Sequence, residues 1–148
     1  MANLYLGEYQ WPFPSPLTIH QHGRNPLGVF FPQEEASPDS FDLLQKIIRS
    51  VNLLPEETTI VLVKYALSLG RIVLFNQKIF WVFGENLLPP LKQGVYDLFT
   101  GHRISSPQGM PEGKRRNLYI LPSLNDMLRF PNKKMLTWQS IKGLVSKS

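Results

Sequence analysis

The residues of this sequence whose types can bind metal or move protons include three histidines and a pair of adjacent glutamates. His20 and His22 form a His-x-His pair, and His102 stands alone. Such a pair can bind a metal ion when further ligands converge on it. It lies in a Pro-rich segment with no cysteine in the chain and no acidic residue nearby, so we interpret the histidines as exposed. We predict neither a metal site nor a bound cofactor.

Glu34 and Glu35 follow a short apolar run, the position at which open α/β sheets place ligand-binding groups. Paired carboxylates can act as general acid and base, but adjacent side chains point in different directions, and a charged loop is the commoner structure. The sequence contains no dinucleotide-binding glycine motif, no phosphate-binding P-loop and no serine-hydrolase elbow. These observations favour a protein that is not an enzyme.

Basic residues are concentrated in the carboxyl-terminal third. Residues 1–100 contain seven Lys and Arg against nine Asp and Glu, a balance of −2, whereas residues 101–148 contain nine against two, a balance of +7. The cluster GKRR at residues 113–116 can contact phosphate, although no aromatic residue is interleaved with it. A basic face is either solvated or contacts nucleic acid or an acidic partner. We expect any contact with DNA to be indirect or weak.

Length and composition predict one globular domain in the cytoplasm. The chain has 148 residues and is 43% hydrophobic, which is enough to build a sizeable core. It has no cysteine and so needs no oxidising compartment. No segment approaches the ~18 apolar residues of a membrane span, and the amino terminus lacks the pattern of a signal peptide. We therefore expect no association with a membrane.

The elements that position these residues alternate between strand and helix. Apolar runs predict strands at residues 27–31, 58–63, 78–84 and 117–121. Helices are predicted after Ser37, after Pro89 and Pro90, and over residues 123–145, with a mobile loop at residues 100–116. Residues 66–76 fit either a short crossover helix or a strand, and we choose the helix. This order predicts an α/β fold, a three-layer α/β/α sandwich with a small, mostly parallel sheet of about four strands.

Residues 1–26 form a Pro-rich and aromatic amino-terminal arm, which precedes a single α/β domain at residues 27–148. The arm contains four prolines and the aromatic residues Tyr5, Tyr9, Trp11 and Phe13. Such a mixture resists regular structure but is too apolar for a typical disordered tail. The arm therefore either binds a partner or covers part of its own sheet.

The segment LPSLNDMLRFPNKKMLTWQSIKGLV, residues 121–145, predicts two short helices with a corner between them. Ser123 can cap a first helix, and Pro131 ends it and suits the first turn of a second. The inward side chains of the first helix are predicted to be Leu124, Met127 and Leu128. Those of the second are predicted to be Met135 or Leu136, then Trp138, Ile141, Leu144 and Val145, with Trp138 in the core.

This segment resembles the carboxyl-terminal signature of the psi subunit of bacterial DNA polymerase III, in which serine-leucine is followed by a break and then by lysine and tryptophan on the last helix. The matching residues are Ser123, Leu124, Lys134 and Trp138, and the likeness extends over residues 27–145. The resemblance implies a non-enzymatic subunit whose sheet domain binds a chi-type subunit. It also implies that the aromatic arm, with Tyr5, Tyr9, Trp11 and Phe13, inserts into a clamp loader.

Psi-like proteins share their fold with uracil-DNA glycosylases, so a glycosylase-like enzyme, or a degenerate relative acting on DNA bases, is the alternative. VFGEN and LPSLND resemble two glycosylase segments, but Leu121 stands where the enzymes have histidine. Residues 30–39, FFPQEEASPD, also lack the enzymes' Gly-Gln-Asp-Pro-Tyr loop. The resemblance thus favours the fold and disfavours the chemistry. An adaptor of some other assembly, built on this fold, is a third hypothesis.

Overall fold

The computed structural model describes residues 17–64, 67–88, 91–104, 111 and 114–141. Several predictions made from sequence concern residues outside these ranges. They include the partner-binding role of Tyr5, Tyr9, Trp11 and Phe13, the helix start at Pro89 and Pro90, and the apolar contacts of Leu144 and Val145. These stay predictions.

Within the described ranges, six strands form one mixed sheet. In chain order they are β1 (Leu17–Gln21), β2 (Leu27–Pro32), β3 (Thr59–Val63), β4 (Ile79–Phe83), β5 (Gly94–Asp97) and β6 (Asn117–Leu121). Their order in the sheet is β1-β3-β2-β4-β6-β5. The central strands β3, β2, β4 and β6 are parallel, whereas β1 and β5 run antiparallel to their neighbours at the two edges. The prediction of about four strands was therefore too low.

The central strands are the ones that the sequence predicted, because they are buried on both faces. All five residues of β3, β4 and β6 are buried, as are the first five of β2. Strands covered on both faces appear in a sequence as continuous apolar runs. Such a run is a strong signal, because it can be recognised without any alternation of apolar and polar residues.

Strand β1 lies within the segment assigned to the amino-terminal arm. It pairs antiparallel with β3, with a bulge between Ile19 and Gln21. The Gln21 side-chain amide donates to the carbonyl oxygens of Pro55 and Thr58, at 2.6 and 2.8 Å. The strand was missed because its central residues are exposed and prolines stand close by in the sequence. The sheet therefore begins at Leu17.

The helix predicted after Pro89 and Pro90 was wrong over the described residues, which form β5 instead. Gly94 has a φ of +150°, which a helix does not accommodate. Val95 and Tyr96 are residue types that favour strands, and they pair with Tyr119 and Leu118 of β6. Pairing with an available edge strand outweighed the local helix signal.

The predicted helix after Ser37 is α1 (Pro38–Ser50), and its start is confirmed in detail. Ser37 and Ser40 form a reciprocal capping box, and Pro38 occupies the first turn. Residues 66–76 contain α2 (Leu69–Ile72), a single helical turn capped by Ser68, so the choice of a crossover helix is confirmed although the helix is only four residues long. None of the helices in the described ranges combines the length and apolarity needed to cross a membrane.

The carboxyl-terminal segment forms α3 (Leu124–Arg129) and α4 (Pro131–Ile141), as predicted. Ser123 caps α3, and Pro131 begins α4. The predicted inward faces were partly wrong, since Leu128 is 45% exposed and Trp138 is 43% exposed. Thr137 takes the buried position next to Trp138, and its hydroxyl contacts the sulfur of Met127 at 3.1 Å. The largest apolar residue of α4 is therefore not the one that anchors it, and the fully buried tryptophan is Trp81 in β4.

The two faces of the sheet carry separate apolar cores. Helices α1, α3 and α4 cover one face, where Leu44, Leu124 and Ile141 pack on β2 and β4 side chains. The other face is covered by Ile72 of α2 and by side chains of irregular segments, among them Leu88 and Leu98. The α/β class is confirmed. The three-layer sandwich is not, because the helical structure on this second face, among the described residues, consists of α2 and a single 3-10 turn at residues 85–87.

Candidate functional site

A polar cleft of about 470 Å³ lies at the carboxyl ends of the parallel strands. Its walls include Pro32 of β2, Val63 of β3, Gly84 after β4 and Pro122 after β6. From β2 the chain crosses to β3 on one side and then to β4 on the other side. Open α/β sheets bind ligands at such a reversal, because the loops diverge and leave a crevice. We call this feature the polar cleft.

Local structure explains how the two predicted glutamates reach the cleft. Pro32 ends β2, and a single 3-10 turn at residues 33–35 carries both carboxylates to the cleft wall. The Ser40 hydroxyl donates to the Glu35 carbonyl oxygen at 2.6 Å, which ties the turn to the start of α1. Sequence reasoning therefore placed Glu34 and Glu35 at the correct edge of the sheet.

Glu35 is the cleft residue with a shifted pKa. Partial burial raises the pKa of its carboxyl above the ordinary value, and the charges of Asp126 and Glu34 raise it further. The Asn125 backbone N–H donates to Glu35 Oε1 at 3.5 Å and acts in the opposite direction, lowering the pKa. The result is a carboxyl group that takes up a proton more readily than a solvated glutamate does.

Other polar groups of the cleft make structural hydrogen bonds. Glu85 Oε2 accepts the backbone N–H of Gln93 at 3.0 Å, and Ser123 Oγ accepts that of Asp126 at 3.1 Å. Ser123 therefore acts as a helix cap. Asp126 and Lys133 also line the cleft, and sequence reasoning missed both as cleft residues. The available signal was their position in helices that follow directly from the end of the last parallel strand.

Leu121 and the His-x-His pair, the sequence positions considered for catalysis and metal binding, are not among the residues that line the polar cleft. Leu121, the residue that stands at the glycosylase histidine position, is buried in the apolar core. His20 stacks on Phe41 with ring centroids 4.7 Å apart, and His22 is exposed. Across the described ranges, no group of three or more His, Cys, Asp or Glu side chains is arranged to hold a metal ion.

A second surface, apolar rather than polar, lies on α3 and α4. Five large apolar side chains there are between 43% and 63% exposed. They are Leu128, Phe130, Met135, Leu136 and Trp138. We call this set the α3–α4 surface. Two of the five, Met135 and Trp138, also line a groove of about 450 Å³ whose walls include Leu43 and Ile47 of α1.

Cationic side chains border the α3–α4 surface. Lys46 and Lys134 line the groove, and Arg129 lies with its guanidinium carbon 5.7 Å from the centroid of the Phe130 ring. Lys46 is paired with Asp42 at 3.2 Å, whereas α4 itself contains no acidic residue. The surface is therefore apolar at its centre and mainly basic at its edge.

Comparison of the chain with protein-family models, curated proteins and solved structures found no match.

Proposed function

We propose that the protein is a non-enzymatic bridging subunit of a DNA replication assembly, psi-like, which links a clamp loader to a chi-type subunit. The observation that supports this best is the α3–α4 surface. Isolated apolar side chains on a protein surface are common, but five of them on one helix pair, two of which line a groove, are typical of a site that binds another protein. Trp138 is the kind of residue that dominates the binding energy of such sites.

The partner that fits this surface is a protein segment with an apolar face and acidic flanks. The groove accepts apolar side chains between α1 and α4, and the basic border contributed by Lys134 and Arg129 attracts carboxylates. An amphipathic helix laid into a groove has this pattern. We assign this segment to the chi-type subunit, since the resemblance gives the sheet domain that role.

Binding to the clamp loader is assigned to the amino-terminal arm, with Tyr5, Tyr9, Trp11 and Phe13 as the anchors. Strand β1, at the edge of the sheet, begins at Leu17, so residues 1–13 precede the first described element. A segment at this position can be removed without deleting any strand of the described sheet. The two assigned binding sites are therefore separable by mutation.

The non-enzymatic part of the proposal is supported by how the cleft groups are used. Leu121 cannot stabilise a developing negative charge, and it is buried away from the cleft. Glu35, Glu85 and Ser123 each accept a backbone N–H of their own chain. These groups hold the loops at the carboxyl end of the sheet in place.

A binding measurement with a matched control tests the assignment of the α3–α4 surface. We expect Trp138→Ala to weaken binding of the chi-type subunit from the same host by more than about tenfold, as is common for a tryptophan anchor. Leu54→Ala removes another large exposed apolar side chain, outside α3 and α4, and is expected to leave the affinity unchanged. Titration calorimetry measures both. Equal affinities for wild type and Trp138→Ala would remove the support for this proposal.

The glycosylase-like alternative is kept because Glu35 lies in a cleft at the reversal point of the sheet. We expect the purified protein to release no uracil from single-stranded or double-stranded DNA. Time-dependent formation of abasic sites, abolished by Glu35→Gln, would show that the protein is an enzyme. It would overturn the proposal that the bridging subunit is non-enzymatic.

A further inference from the structure

The edge of the sheet opposite the polar cleft has a different chemical character. The parallel strands β4 and β6 begin there, at Ile79 and Asn117. Directly before β6 lie three consecutive basic residues, Lys114, Arg115 and Arg116. Lys114 and Arg115 are exposed, whereas Arg116 is partly buried. We call Lys114, Arg115 and the turn at residues 98–101 the basic edge.

Arg116 has a structural role that fixes this edge. Its guanidinium donates to the carbonyl oxygens of Phe75 and Val73, so it ties the segment after α2 to the start of β6. The Arg116 carbonyl oxygen accepts the backbone N–H of Leu98 at 2.8 Å. That bond extends the antiparallel pairing of β5 and β6 by one residue beyond the Asp97–Asn117 pair. Beyond this bond, the next residue after β5 is Phe99, and the next residue before β6 is Arg115.

The backbone register thus places Phe99 and Arg115 each one residue beyond the Leu98–Arg116 hydrogen bond, although no aromatic residue is interleaved with the basic cluster in the sequence. The Phe99 side chain is 92% exposed, a larger fraction than that of any other large apolar residue in the described ranges. Leu74, next to the segment that Arg116 holds, is 70% exposed. A phenylalanine this exposed contributes little buried area to its own fold, so its ring is available for contact with a ligand.

The turn that presents Phe99 is well bonded. Asp97 Oδ1 accepts the Phe99 N–H at 2.9 Å, and the Asp97 carbonyl oxygen accepts the Gly101 N–H at 2.7 Å. Gly101 has a φ of +78°, a conformation that glycine adopts readily. The Asp97 N–H in turn donates to the His102 carbonyl oxygen at 2.8 Å. These bonds fix the backbone that carries the exposed Phe99 ring, which lowers the entropy cost of binding to it.

We propose that the basic edge binds single-stranded nucleic acid, with Phe99 stacking on an unpaired base and with Lys114 and Arg115 contacting the phosphates. Exposed aromatic rings combined with basic side chains are how proteins bind single strands without sequence preference. Duplex DNA fits the edge less well, because stacking on the exposed ring needs an unpaired and unstacked base. This inference does not depend on the proposed bridging function.

Fluorescence anisotropy with a labelled 20-nucleotide oligo(dT) tests the proposal. We expect binding with a Kd on the order of 10 μM at about 50 mM salt, weakening as salt is added. Phe99→Ala is expected to lower the affinity roughly 5-fold to 100-fold without changing the salt dependence. The double variant Lys114→Gln, Arg115→Gln is expected to reduce the slope of log K against log salt by about 1.4, or about 0.7 for each lost phosphate contact.

Matched controls separate this site from general attraction to a basic protein. The double variant Lys46→Gln, Lys134→Gln removes the same charge elsewhere and should leave both affinity and slope nearly unchanged. Leu54→Ala is the control for loss of an exposed apolar side chain, and circular dichroism melting confirms that each variant folds. The proposal is overturned if oligo(dT) does not bind, if Phe99→Ala binds as tightly as wild type, or if a duplex of the same length binds equally well. Equal competition by poly-glutamate at equal charge would assign the edge to an acidic protein partner and also overturn it.

Discussion

At the scale of single residues, the two described tryptophans have opposite roles. Trp81 lies in the middle of the central strand β4 and is fully buried, while Trp138 is 43% exposed on α4. The sequence predicted Trp138 as a core residue, because a large apolar side chain at helical spacing usually faces inward. The structure instead leaves much of the Trp138 side chain exposed, and Thr137 and Ile141 are the buried residues of α4.

This difference predicts unequal costs of substitution. Trp81→Ala should destabilise the fold by about 3–5 kcal/mol, because it leaves a large cavity in the core. Trp138→Ala should cost about 1 kcal/mol, as is usual for a partly exposed side chain. Urea unfolding followed by circular dichroism measures both. Should Trp81→Ala fail to fold, Trp81→Phe serves instead: the smaller ring leaves a cavity in the core, so the variant should still cost more than Trp138→Ala, even though the buried Nε1 donor that it removes has no hydrogen-bond partner among the described residues.

The position of Glu35 predicts a pH-dependent effect on stability. Burial raises the pKa of its carboxyl in the folded state, so the fold favours the protonated form and is weakened by ionisation. This weakening is absent below the ordinary pKa of 4.5 and grows as the pH rises through the raised pKa. Glu35→Gln should therefore raise the melting temperature at about pH 7 and leave it nearly unchanged at about pH 3.5. Glu56→Gln, an exposed change of equal charge at the other end of the sheet, should produce no such contrast; a gain for Glu35→Gln at both pH values would contradict the explanation.

At the scale of elements, caps and prolines determine where the helices begin. Ser123 lies between β6 and α3, and its hydroxyl accepts the Asp126 N–H. A single side chain therefore fixes where the helix pair begins. We expect Ser123→Ala to cost about 1 kcal/mol, the usual value of an N-cap. Ser140→Ala is the matched control, because the Ser140 hydroxyl only donates to Leu136 within α4. A urea titration in which both variants are equally stable would show that the cap is unimportant.

The sequence predicted the elements whose signals are local or continuous. The four parallel strands appeared as unbroken apolar runs, and Ser37, Ser123 and Pro131 marked helix starts through their own hydrogen-bonding chemistry. It missed β1 and β5, since edge strands are short and half exposed and owe their structure to a neighbour distant in sequence.

The candidate sites show the same division. Glu34 and Glu35 were predicted at the correct edge because they directly follow a strand. The placement of Phe99 and Arg115 one residue beyond the Leu98–Arg116 hydrogen bond could not be predicted, because it depends on the register between β5 and β6. The exposure of Trp138 was missed because helical periodicity fixes which residues share a face but leaves the rotation of a short, weakly amphipathic helix to its packing.

At the scale of the whole molecule, three surfaces of different chemistry are arranged around one sheet. The polar cleft lies at the carboxyl ends of the parallel strands, the basic edge lies at their amino ends, and the α3–α4 surface lies on one face. The basic edge shares no helix with the other two surfaces, whereas α3 and α4 contribute both to the polar cleft and to the α3–α4 surface, so a substitution in the basic edge should leave the other two intact. In the proposed bridging role, the clamp loader binds the amino-terminal arm and the chi-type subunit binds the α3–α4 surface, so neither partner displaces the other.

Reconstitution of a ternary complex tests the bridging function most directly. The full chain, a clamp loader and a chi-type subunit from the same host are mixed and separated by size-exclusion chromatography with light scattering. We predict that the full chain joins both partners in one complex. Deletion of residues 1–13 should leave the fold and the contact with the chi-type subunit intact but release the clamp loader. Trp138→Ala should release the chi-type subunit and leave the clamp loader bound. Trp11→Ala should reproduce most of the loss caused by the deletion. If the full chain joins neither partner, or if the deletion leaves the clamp loader bound, the protein does not bridge them in the way proposed.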